Sequence, residues 1–94
     1  MTKADIVKQI AGKTGVESTT VLAVVEEFMD QVRKAQIRKE NVYLRGFGTF
    51  LIKHRKAKTA RNITKNTTIV IPAHDIPAFK PSPDFQKPIA NKGE

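Results

Sequence analysis

The chain has 94 residues and a mass of 10.5 kDa, which allows one domain with a thin hydrophobic core. It contains no cysteine, which excludes disulfides, thiolate metal sites and cysteine catalysis, and the sequence predicts no cofactor. No apolar segment is long enough to span a membrane or has the form of an export signal, so we expect an intracellular protein with no membrane partner.

Positive charge is concentrated in the middle of the chain. Lys and Arg number 17 against 9 Asp and Glu, which gives a formal net charge of +8. Residues 1–44 carry a net charge of +1, residues 45–80 of +7 and residues 81–94 of zero. Because Asp75 is the only acid of the middle segment, we expect that segment to bind a polyanion. The alternative is a solvated basic surface without a partner.

The first 40 residues predict two helices. Thr2 and Asp5 have the spacing of a capping box, apolar residues follow at helical spacing, and Gly15 is a stop signal. A second helix begins near Glu17 and Ser18. Its apolar stripe is wider than one short helix can cover, so we expect part of it to be a dimer face. The stripe consists of Val21, Leu22, Val24, Val25, Phe28, Met29, Val32 and Ala35.

The hydrophobic period changes after residue 40. Residues 41–55 predict two short strands joined by a bend at Gly46 and Gly48. Residues 53–68 contain six basic and no acidic side chains, with too few apolar groups to form a core. They lead into a β-branched run, so we expect a long two-stranded ribbon that turns around residues 63–66.

Prolines recur after residue 72 and exclude a long helix there. Ser82 and Pro83 form a cap and first-turn pair, which predicts a helix of about one to two turns ended by Pro88.

Three classes of function are relevant to such a basic chain: a DNA enzyme, an RNA-binding protein and a binder of duplex DNA. A nuclease or other DNA enzyme would need clustered carboxylates or an oriented histidine, and we assign no role to His54 or His74. An RNA-binding or ribosome-associated protein is the alternative to a DNA-binding one. Residues 51–78 lack the aromatic platforms on which single-stranded bases stack, and we expect Phe47, Phe50 and Phe79 in the core. The sequence therefore favours a binder of duplex DNA.

Several motifs in one order resemble those of the bacterial HU/integration-host-factor family, over roughly residues 2–87. They are Gly46-Phe47-Gly48-Thr49-Phe50, Arg61-Asn62, Ile71-Pro72-Ala73 and Pro77-Ala78-Phe79-Lys80-Pro81. The resemblance implies an α+β fold in an intertwined dimer: an N-terminal helical hairpin, an antiparallel β-sheet with an extended β-ribbon arm, and a short C-terminal helix. Residues 1–94 would form one domain, with a helical dimerisation body (1–40), a sheet saddle and arm with its tip about 61–66 (41–81), and a short helix and tail (82–94).

The same resemblance implies a non-catalytic architectural protein of the nucleoid. Such a protein would bind duplex DNA through the minor groove and phosphates, prefer bent or distorted forms, and bend and compact it as a homodimer or as a heterodimer with a paralogue. Ile63 stands where the family usually has the proline wedge of the arm tip, and apolar wedges are a property of this family. The candidate DNA-binding residues are Lys3, Gly46, Lys53, Arg55, Lys56, Lys58, Arg61, Asn62, Ile63, Lys65 and Lys80. Whether binding is general or site-preferring stays open.

Overall fold

The computed structural model describes residues 1–62 and 67–90, and the chain divides into two compact units, Met1–Ala35 and Gln36–Glu94. Each unit is described by itself. The elements in chain order are α1 (Lys3–Thr14), α2 (Ser18–Ile37), β1 (Val42–Leu44), β2 (Gly48–Arg55), β3 (Lys58–Asn62), β4 (Thr67–Ile71), β5 (His74–Pro81) and α3 (Pro83–Ala90).

Helix α1 has the predicted caps at both ends. The Asp5 amide donates to Thr2 Oγ1 at 3.3 Å, and the Thr2 amide donates to Asp5 Oδ2 at 2.9 Å, which completes the capping box. At the other end Gly15 adopts the left-handed conformation (φ 78°), and its amide donates to the carbonyl of Ala11. The sequence prediction of this helix is confirmed.

The described part of the protomer buries few apolar side chains, as its size predicts. Val7, Val21 and Ala35 are its buried hydrophobic residues. On α2, by contrast, Val24 is 63% exposed and Phe28 45% exposed, and both line an apolar groove of about 460 Å³. The wide stripe of α2 is therefore only partly covered within one chain, and the dimer face stays a prediction.

The second unit contains a three-stranded antiparallel sheet in the order β1-β2-β5. β1 and β2 are joined by the predicted glycine bend, in which Gly46 has a φ of 79° and the Phe47 amide donates to the Leu44 carbonyl at 2.9 Å. A positive φ favours glycine, which accounts for its place in this bend. The predicted pair of strands is confirmed.

The predicted ribbon is present as a separate two-stranded antiparallel sheet. β3 and β4, which we call the arm, run in register from Lys58 opposite Ile71 to Asn62 opposite Thr67. The predicted turn at residues 63–66 lies outside the described residues.

The C-terminal helix corrects one expectation. α3 runs through Pro88 to Ala90 instead of ending at the proline. Pro88 cannot donate to the carbonyl of Asp84 one turn earlier, but its fixed φ is helical and Asp84 is exposed, so water can satisfy that carbonyl.

The expected aromatic core also needs correction. The rings of Phe47, Phe50, Phe79 and Phe85 form one cluster with centroids 4.9–6.0 Å apart, yet Phe47 is 45% and Phe79 37% exposed. A three-stranded sheet and a helix of two turns supply too few neighbours to enclose four rings in a single chain. Within this single chain the cluster is therefore only partly buried.

Candidate nucleic-acid interface

The antiparallel register places three of the predicted basic residues on one face of the three-stranded sheet. Thr49 lies opposite Lys80, Lys53 opposite Ile76 and Arg55 opposite His74. Because neighbouring side chains on a strand point to opposite faces, these residues share a face. Lys53, Arg55 and Lys80 are all exposed. We call this surface, which carries Tyr43, Thr49, Leu51, Lys53, Arg55, His74, Ile76, Ala78 and Lys80, the basic face.

The only acidic residue of the middle segment lies on the opposite face. Asp75 pairs with His54 across β2 and β5, and His54 Nδ1 donates to Asp75 Oδ1 at 2.8 Å. Lys39 Nζ lies 3.3 Å from the second carboxylate oxygen. These hydrogen bonds, first that of His54 and then that of Lys39, hold the pKa of Asp75 below its ordinary value. Asp75 is thus neutralised by its own partners and does not offset the charge of the basic face.

The arm extends the basic surface. Lys56 lies between β2 and β3, Lys58 begins β3 and Arg61 lies near its described end, and all three are exposed. Lys58 and Arg61 are three positions apart on the strand, so they face opposite sides of the two-stranded arm. The arm therefore carries an exposed basic side chain on each of its two sides.

Gly46 lines a cleft of about 410 Å³ whose lining includes residues of the basic face. The cleft also contains Arg45, Thr49 and Lys80. The exposed backbone of Gly46 leaves room for an anionic group to approach beside Lys80. The structure thus brings Gly46 and Lys80, two of the candidate residues, to one cleft.

Four candidates are not placed on this surface. Lys3 belongs to the other compact unit, where it forms an ion pair with Glu26. The backbone of Asn62 ends the described part of β3, and its side chain, like Ile63 and Lys65, lies outside the described residues.

His74, to which the sequence alone assigned no role, lies on the basic face. In the structure it faces Arg55 directly across the β2–β5 ladder, on the basic face. The alternation of His74, Ile76, Ala78 and Lys80 is typical of a strand and would have shown this. Pro77 and Pro81, however, argue against a strand in a prediction from sequence. Both prolines fit because β5 is an edge strand, where an N–H group is not required on the free side.

The described residues contain neither a metal-binding cluster nor a membrane-spanning helix. Within residues 1–62 and 67–90 no group of three or more His, Asp and Glu side chains is arranged to hold a metal ion. No described helix has both the length and the apolar character needed to cross a bilayer.

A basic sheet face continued by a basic two-stranded arm defines a nucleic-acid-binding protein of the β-ribbon class. The family model described as "Bacterial DNA-binding protein" matches residues 1–90, and the chain belongs to this family of HU and integration-host-factor proteins. Among its relatives, the DNA-binding protein HU of Thermus thermophilus is 42% identical over 81 residues, which is 86% of this chain and 84% of that protein. The integration host factor subunit alpha of Hydrogenovibrio crunogenus is 31% identical over 93 residues, 99% of this chain and 96% of that protein.

A solved structure supports the same assignment. The chain is similar to HU in an Anabaena HU–DNA cocrystal structure, with a TM-score of 0.91, 32% identity, and coverage of 97% of this chain and 99% of that one. The RNA-binding alternative has no counterpart among these three proteins.

Proposed function

We propose that this protein is a non-catalytic architectural protein that binds duplex DNA through the basic face and the arm, and bends and compacts it. One observation carries the proposal: Lys53, Arg55 and Lys80 converge on one sheet face while Asp75 is turned away and paired. Sequence-independent binding of duplex DNA depends on such an array, because each contact with a phosphate releases condensed counterions.

The arm would bind in the minor groove of the same duplex. Its exposed Lys58 and Arg61 face opposite sides of a narrow ribbon, which fits contacts with phosphates on both sides of the minor groove. Asn62, Ile63 and Lys65 would then lie at the tip. Ile63 would act as an apolar wedge between base pairs, in place of the usual proline, and favour DNA that is already bent or distorted.

A dimer completes the DNA-binding surface. Two arms and two basic faces double the number of phosphate contacts, and the exposed groove of α2 offers an apolar surface for association. Lys3 would join the surface only when its ion pair with Glu26 gives way to a phosphate. The partner is an identical chain or a paralogue, and residues 1–94 act as one domain of a protein of the cytoplasmic nucleoid.

A comparison of two equally charged variants tests the proposal. Lys53→Ala with Lys80→Ala removes two charges from the basic face, whereas Lys8→Ala with Lys13→Ala removes two from α1. Fluorescence anisotropy with a labelled duplex should show affinity falling about tenfold to a hundredfold for the first pair and much less for the second. Equal losses would mean that net charge, and not this face, governs binding. A structured RNA can be added as a competitor in the same assay. If it displaces the duplex at equal concentration, the RNA-binding alternative is favoured.

A further inference from the structure

A basic cleft lies where the arm leaves the three-stranded sheet. It has a volume of about 580 Å³ and is lined by Arg55, Lys56, Ala57, Lys58, Ile71, His74 and Ile76. Its four polar side chains are cationic or can become so, and all four are exposed. The cleft is large enough for a phosphate group, and its cationic lining is accessible to solvent.

His74 differs from the other polar side chains of the cleft because histidine is the residue type that commonly gains or loses its charge within the physiological pH range. Its Nδ1 lies 3.0 Å from the carbonyl oxygen of Pro72. A carbonyl can only accept, so Nδ1 carries the hydrogen and the neutral ring leaves Nε2 as an unprotonated acceptor. Within residues 1–62 and 67–90 Nε2 makes no hydrogen bond. Protonation turns Nε2 into a charged donor without disturbing the bond to Pro72.

The charged groups around His74 are all positive in the described chain. β2 contributes Arg55, directly opposite, and Lys53 on the same face. Lys56 lies in the segment that leads into the arm, Lys58 begins β3, and β4 contributes only Ile71. The neighbouring Asp75 points to the opposite face, where His54 and Lys39 hold it. Any anion at His74 must therefore come from outside the described chain.

We propose that this cleft is a phosphate site in which DNA binding is coupled to protonation of His74. The inference rests on the proposed function, since the phosphate is that of duplex DNA. A phosphate in the cleft favours the charged ring because an opposite charge at hydrogen-bond distance stabilises it. Binding then takes up a proton at each His74, and affinity rises as the pH falls through the range in which histidines titrate.

Affinity for one labelled duplex, measured from about pH 5.5 to about pH 7.5 at constant ionic strength, tests the coupling. DNA phosphates, Lys and Arg keep their charge over this range. We expect the wild type to bind about fivefold more tightly per protomer at the acidic end. His74→Asn, whose amide can still donate to Pro72, should lose most of this dependence. His74→Lys should bind tightly at both ends, with a flat profile.

The control for the other histidine is His54→Asn. His54 lies on the opposite face, so this variant should keep the pH dependence of the wild type. A wild-type profile as flat as that of His74→Asn, or a dependence that disappears with His54→Asn instead, would overturn the inference and leave the proposed function intact. Failure of the wild type to bind duplex DNA at any pH would overturn the proposed function itself.

Discussion

Gly48 and Phe79 share one small space beside the β2–β5 ladder. A Cβ atom added to Gly48 would lie 2.5 Å from Cζ of Phe79 and 2.7 Å from the carbonyl oxygen of Lys80. Gly48 is itself buried, and the Phe79 ring packs on Phe47 and Phe50 with centroids 5.3 and 4.9 Å away. The absence of a side chain at Gly48 thus lets the aromatic cluster form and brings Lys80 to its place on the basic face.

Gly48→Ala should therefore destabilise the protein. Neither the packed ring nor the backbone carbonyl can move away without disturbing the sheet, and overpacking of this kind costs about 1–3 kcal/mol. Urea denaturation measures the change in the free energy of unfolding. Gly12→Ala is the matched control: nothing lies within 4 Å of a Cβ there, and it lies within α1. It should stabilise by about 0.5–1 kcal/mol, and a similar loss in both variants would refute the explanation.

Much of the fold can be predicted from local sequence signals. The capping box of Thr2 and Asp5, the stop at Gly15 and the bend at Gly46 each use a side chain or a φ value that few residues supply, so the pattern determines the structure. The ribbon follows from composition, because residues 53–62 are too polar to be buried. These features lie close together in the sequence and need no knowledge of distant contacts.

The rest depends on pairings between distant residues. Arg55 faces His74 and His54 faces Asp75 across strands that are about 20 positions apart, so only the register shows which charges share a face. Local signals even pointed the wrong way at Pro88, since a proline in an exposed final turn costs less than one in a helix interior. The exposed Phe47 and Phe79 could not be foreseen, because composition does not show how much surface one chain can cover.

Asp75→Asn should make the stability less sensitive to acid. The pKa of Asp75 is lowered in the folded state by the hydrogen bonds of His54 and Lys39, so its ionised form stabilises the fold above the ordinary unfolded pKa of about 3.9. That contribution is lost as the pH falls through the lowered folded pKa. The Tm difference between wild type and Asp75→Asn should favour the wild type at neutral pH and shrink below about pH 4. A difference that grows on acidification would contradict this sign.

Phe28→Glu should prevent dimer formation. The ring is 45% exposed and lines the groove of α2, where a carboxylate would oppose burial. In sedimentation equilibrium the wild type should have about twice the 10.5 kDa chain mass at micromolar concentration, and its Tm should rise with concentration. Arg33→Gln, which removes only an exposed ion pair with Asp30, should behave as the wild type. A stable, folded wild-type monomer would disprove the dimer.

Ile63→Ala should reduce DNA bending more than it reduces affinity. A wedge that fills an unstacked base step stabilises the kinked duplex, whereas the basic side chains supply most of the general affinity. Fluorescence transfer across a doubly labelled duplex, with each variant at saturation, measures the bend angle. Ile63→Pro should retain the bend. Val70→Ala, which truncates an exposed apolar side chain of β4, is the control and should bend DNA as the wild type does. An unchanged bend angle in Ile63→Ala would show that Ile63 does not act as a wedge.

The central claim is that phosphate contacts of the basic face and arm bind duplex DNA, and the salt dependence of the dissociation constant tests it most directly. If a dimer neutralises about 6–10 phosphates, the logarithm of the association constant should fall against the logarithm of salt concentration with a slope of about −5 to −9. Arg61→Ala should flatten that slope by about 2, one unit for each arm, on every duplex sequence alike. A wild-type slope shallower than about −2, or one unchanged in Arg61→Ala, would contradict the account.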